Sequence, residues 1–126
     1  GMVAADIDRD GCIELLRRPV FGPATIDSPR CTEANWATIG LRSATANSRA
    51  VGARIRIDTA DAVQTRWVRA GGTGLAGGGP SEVHVGLGEH EIIDRVTVDW
   101  PDGSQTVHEG LPANRHIVIR RTDGMR

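Results

Sequence analysis

The chain has 126 residues, the size of one domain with a single modest core. Its formal charge of -1, from 15 cations against 16 acids, leaves nothing that calls for nucleic acid or an anionic membrane surface, and no apolar stretch approaches the roughly 18 to 20 residues of a bilayer span. Aromatic content of only 3%, with 16 glycines and 6 prolines set mostly between β-branched runs, argues against a helical bundle and for closely packed strands. All the cations are arginine, scattered among acids with no basic stripe. The opening Gly1-Met2 reads as an artificial start, so any signal peptide would lie upstream.

In chain order, residues 1–18 carry an acidic, alternating segment, Asp6-Ile7-Asp8-Arg9-Asp10-Gly11-Cys12-Ile13-Glu14. Residues 19–33 hold three prolines and read as a connector. From residue 34 to 126, short β-type runs recur between turn residues, the pattern of an all-β antiparallel sandwich or barrel-like domain of about seven strands. The expected strands are 35–42, 53–58, 63–70, 82–85, 93–100, 105–109 and 116–121. Period-two alternation turns Ile55 and Ile57 inward, with Arg54, Arg56 and Asp58 facing water. It likewise turns Val96, Val98 and Trp100 inward, with Arg95 and Asp99 outward. Pro101-Asp102-Gly103 then supplies a fixed φ, an Asx acceptor and a residue free to take positive φ, which predicts a tight hairpin. The glycine-rich run 71–80 lacks the lysine and hydroxyl of a phosphate-binding loop and reads as an irregular connection.

Calcium is the one small-ligand chemistry the residues spell out. Asp6, Asp8 and Asp10 place carboxylates at every second position, and Gly11 permits a sharp turn after which the Cys12 carbonyl and the Glu14 side chain would close an oxygen shell. An EF-hand fails, since Arg17 stands where its bidentate Glu is needed. The plain alternative is a solvated or fraying acidic strand. Cys12 and Cys31 either pair, in an oxidising compartment, or remain buried thiols; a bridge would pin the acidic segment to the connector. His84, His90, His108 and His116 show no zinc-ligand spacing. His84 is expected to bond a loop carbonyl near Gly86 and Gly88, and His90 to be exposed. No nucleophile elbow or catalytic cysteine context appears, so no enzyme activity is expected. Trp36 and Trp100 read as core; Trp67 can be phased either way, and is wet only if it lies opposite Val68.

Several separated pieces, in order, carry a family resemblance: Asn35-Trp36; Asn47-Ser48-Arg49 followed by Val51-Gly52-Ala53-Arg54-Ile55; Gln64-Thr65-Arg66 before Arg69-Ala70-Gly71; His84-Val85-Gly86-Leu87-Gly88; and Trp100-Pro101-Asp102-Gly103. Together they resemble the ASPIC/UnbV domain, which usually follows FG-GAP repeats whose blades carry Asp-x-Asp-x-Asp-Gly loops. The resemblance implies that residues 1–18 are the stub of a last FG-GAP-type blade, with Asp6, Asp8, Asp10, Cys12 and Glu14 as its calcium ligands. It also implies a non-catalytic module, secreted, periplasmic or at the cell surface, that caps a propeller and meets a protein or glycan. A carbohydrate-binding module beside an enzyme elsewhere in the parent chain is the alternative. The chain departs from the family at Gly72 to Gly78, which lacks the usual aromatic ring and amide, at Val85, where Phe is usual, and at Trp67, where a polar residue is common.

Overall fold

The structure, a computed structural model, describes residues 1–72 and 77–121. It is all-β among those residues, with ten strands in three sheets. Strands β1 (Met2–Ala5), β2 (Glu14–Arg17) and β3 (Thr25–Asp27) form an antiparallel sheet at the N-terminus. Strands β4 (Asn35–Arg42), β7 (Glu82–Gly88) and β10 (Arg115–Arg120) form a second, ordered β10-β4-β7. Strands β5 (Arg54–Asp58), β6 (Val63–Trp67), β8 (Ile92–Asp99) and β9 (Gln105–Pro112) form a third, ordered β6-β5-β8-β9.

The second and third sheets contribute to one core. Ala37, Ile39 and Leu41 of β4, Val83, Val85 and Leu87 of β7, and Ile119 of β10 meet Ile55, Ile57, Val96 and Val98. Within β4, β5, β7 and β8 the named residues stand at every second position, the side chains of one face of a pleated strand. Arg54, Arg56 and Arg95 project to solvent as the alternation predicts; Asp99 is half-buried in an ion pair with Arg54, Nη2 to Oδ2 at 2.6 Å. Trp100 is buried and its indole N–H donates to Thr106 Oγ1 at 3.1 Å, so the core gains a large apolar ring without stranding its polar atom. The turn that follows closes as expected: Gly103 takes φ +86° and its N–H donates to the Trp100 carbonyl at 2.9 Å.

Two details of the topology depart from the sequence reading. The β10–β4 ladder is parallel, Ile117 opposite Ile39, whereas every other ladder is antiparallel. The connector contains a strand: β3 continues the first sheet by pairing Ile26 with Leu16, and Arg17 Nε reaches Asp27 Oδ2 at 2.7 Å. A three-residue strand has too few side chains to show a period, and its pairing partner supplies the order instead.

Outside the core, Ala4, Ala5 and Ile13 of the N-terminal segment line a small cavity together with Thr38, Glu82 and His84, and β4 is buried on both sides, with Thr38 only 2% exposed. In the glycine-rich run, Thr73 to Ala76 lie outside the described residues. Gly77 packs so closely on β1 that an added Cβ would stand 2.6 Å from the Met2 carbonyl oxygen. At the far end of the N-terminal sheet, the β2–β3 turn leaves Phe21 91% exposed.

Cys12 and Cys31 are joined by a disulfide, with Cα atoms 5.7 Å apart and a sequence separation of 19. In the chain-entropy account such a closure stabilises by about 3 kcal/mol. Thiol titration of denatured, unreduced protein is expected to find no free thiol, and Cys31→Ser to lower denaturant stability by about 3 kcal/mol. Two titratable thiols would remove the bridge.

Candidate metal centre

The acidic loop between β1 and β2 turns back on itself through two residues of positive φ, Arg9 at +66° and Gly11 at +94°. The turn brings ligand oxygens of Asp6, Asp8 and Glu14 within 4.8 Å of one another. Asp10 is not in that group; its Oδ1 accepts the Cys12 N–H at 2.8 Å, and its carboxylate lies with the two disulfide sulfurs. Backbone donors hold the loop: Ile7 N–H to Glu14 Oε2 at 2.8 Å, Gly11 N–H to Asp6 Oδ2 at 3.2 Å and Asp10 N–H to Asp8 Oδ1 at 3.3 Å.

The Asp6 side chain is only 2% exposed. Its Oδ2 also lies 3.3 Å from His116 Nε2, while its Oδ1 is buried without a hydrogen-bond partner among the described residues. A buried carboxylate oxygen left in that state requires a compensating positive charge or donor. Hard oxygen donors from three acids fit a divalent cation of the calcium type. At Asp8 the Asp10 N–H bond pulls the carboxyl pKa down, but desolvation and repulsion from Asp10 and Glu14 together outweigh it, and the net direction is up. An ion would remove that repulsion.

The loop sits on residues that the sequence places far away. An added Cβ at Gly11 would fall inside the Trp36 indole, so only glycine permits the approach. Trp36 stacks on His84 at 5.8 Å between ring centroids and meets His116 edge-on at 5.4 Å. Trp36 is therefore half-buried between loop and sheet and is not a core residue. Its backbone is clamped by Asn114, whose Oδ1 accepts the Trp36 N–H at 3.1 Å and whose N–H donates to the Trp36 carbonyl at 2.7 Å.

His84 bonds no loop carbonyl among the described residues. Its Nδ1 shares a hydrogen bond with Thr38 Oγ1 at 2.9 Å on the neighbouring strand, and burial first, then His116, pushes its pKa down against the pull of Asp6 and Glu82. His90 is half-buried, with Nε2 2.6 Å from Asp61 Oδ1, and is not simply exposed. His108 lies on β9 opposite Val96. No cluster of three metal-ligating side chains among the described residues includes a histidine.

Trp36, His84 and His116 are thus the neighbours of the acidic loop that sequence reasoning missed. Asn35-Trp36 following the connector was the only local signal; the parallel β4–β10 ladder, which sets His116 beside Thr38, left none. No helix among the described residues is long and apolar enough to cross a membrane.

Sandwich and docked loop together define an all-β domain carrying a carboxylate-lined loop on its outer face. The family model described as ASPIC and UnbV matches residues 43–126, more than half of the chain. The chain belongs to the ASPIC/UnbV domain family. Comparison with the curated proteins gives no match.

Proposed function

We propose that this is a non-catalytic module of the cell exterior, the β-domain that follows an FG-GAP propeller, with its N-terminal loop holding calcium and its surface serving protein or glycan binding. The observation that carries the reading is the Asp6 carboxylate, which offers an oxygen within 4.8 Å of acid oxygens from Asp8 and Glu14 and whose Oδ1 is buried without a hydrogen-bond partner among the described residues. The disulfide adds support for an oxidising compartment outside the cytosol. A calcium ion bridging Asp6 to its neighbours would also rigidify the joint between the N-terminal sheet and the sandwich, which suits a capping role.

Calcium should then stabilise the fold, by about 2.7 kcal/mol when free ion is a hundred times the dissociation constant. The sign of the pH effect follows from Asp8. Its raised pKa means that ionisation destabilises the ion-free fold, a cost absent at acid pH and present once pH exceeds that pKa, so calcium should help most at neutral pH. Thermal melts in millimolar calcium against chelator, with Asp8→Ala and Asp6→Asn alongside, check this. An unchanged midpoint sinks the calcium reading, as does a shift that both variants retain.

A further inference from the structure

We propose that the outer face of the β6-β5-β8-β9 sheet is a binding site for an uncharged glycan chain. The inference rests on the reading of the domain as a non-catalytic binding module and is independent of calcium. Cross-strand register sets Trp67, Arg54, Asp99 and Gln105 side by side in one row, and Thr65, Arg56, Thr97 and Val107 in the next. With strands about 4.8 Å apart, four positions in a row span roughly 14 Å, the length of a few sugar rings. The face is a shallow groove of about 660 Å³.

The first row is organised before any ligand arrives. Arg54 Nε donates to Asp99 Oδ2 at 2.7 Å and Gln105 Nε2 donates to Asp99 Oδ1 at 2.7 Å, so one carboxylate is gripped from both sides. The Gln105 amide first, then Arg54, hold the Asp99 carboxyl below its usual range, because both donate to its ionised form. Fixed guanidinium, carboxylate and amide groups present donors and acceptors suited to vicinal hydroxyls, and little side-chain entropy remains to be lost on binding. At the end of this row Trp67 is 54% exposed, while Val68 beside it is buried, so the indole offers a flat apolar surface for the C–H face of a sugar ring.

Charge selects the class of ligand. Each arginine of the face has a carboxylate partner: Arg54 with Asp99, Arg56 with Asp58, and Arg95 with Glu109. The three pairs cancel, so no field remains to attract a polyanion or an acidic protein. The lining also differs from the centre of a protein interface, which is depleted in charge and rich in apolar anchors; here Val63 and Val107 are the only apolar side chains that line the groove among the described residues, and Trp67 stands at the end of the row beyond that lining.

Affinity electrophoresis of the whole chain through gels holding a neutral glucan, mannan, xylan or galactan tests the proposal, with heparin as the charged comparison. Retardation by at least one neutral polymer is expected, unchanged in about 0.5 M salt, where exposed charge attraction is screened. Trp67→Ala and Gln105→Ala should each weaken it about tenfold while leaving the melting midpoint and the calcium response intact, since both residues are exposed. Passage unretarded through all four neutral gels overturns the proposal, and so does retardation undiminished in both variants. Retardation by heparin alone, abolished by salt, would assign the face to a polyanion; self-association relieved by Trp67→Ala would assign it to a second copy. Each of those outcomes removes this site and leaves the calcium reading standing.

Discussion

Val98→Asp is expected to abolish folding of the sandwich. Val98 is 0% exposed on β8, an inner strand flanked on both sides, opposite Ile55 of β5 and Thr106 of β9. A carboxylate there would face Ile55, Val96 and the rest of the apolar cluster, with no cation among the described residues of the core to pair it. An unpaired buried charge costs several kcal/mol even after relaxation, comparable to the roughly 5 to 15 kcal/mol that holds a small domain together. The neutral truncation Val98→Ala separates charge from volume: it should lower stability by about 2 kcal/mol through lost burial and the cavity left behind. Circular dichroism melts of both variants make the comparison. A cooperative Val98→Asp transition within a few degrees of the parent would mean that the strand has the opposite phase.

Gly11→Ala should undock the acidic loop while the sandwich persists. Two costs add. The backbone at Gly11 stays at φ +94°, where an L side chain is strained by about 1 to 2 kcal/mol, and the new methyl occupies the space of the Trp36 ring. The ring cannot simply swing aside, because His84 is stacked against it and His116 meets it edge-on. A combined loss of about 2 to 4 kcal/mol is expected, concentrated in the first 33 residues, read as proteolytic cleavage of that segment, a changed Trp36 fluorescence and a lost calcium response. A double-mutant cycle with Trp36→Ala isolates the contact: removing the ring should make Gly11→Ala cheaper by about 1 to 2 kcal/mol, leaving the backbone strain. Additive single effects would show that the loop does not rest on the indole.

The strands of the sandwich were legible because their signal is local. In Arg54-Ile55-Arg56-Ile57 and Arg95-Val96-Thr97-Val98, two-residue alternation within one run names the buried face without reference to any partner. The same locality made the Trp100 turn readable, since Pro101, Asp102 and Gly103 carry their backbone preferences with them. Trp67 shows the limit: its run is too mixed for a phase, and burial of Val68 against the core decided which way the indole points.

The acidic loop divides along the same line. By itself the sequence determined that three aspartates, a turn glycine and a glutamate stand at spacings suited to an oxygen-liganded cation, because ligand type and spacing are properties of the chain. Only the tertiary structure decided that Asp6, Asp8 and Glu14 converge while Asp10 turns toward the disulfide, that Trp36 leaves the core to carry Gly11, and that His116, 110 residues away, reaches Asp6. Those contacts depend on β10 running parallel to β4 and on the acidic loop resting against both, Asp6 at His116 and Gly11 at Trp36. Pairings between strands far apart in sequence are set by the closure of the whole core, and no run of residues encodes them alone.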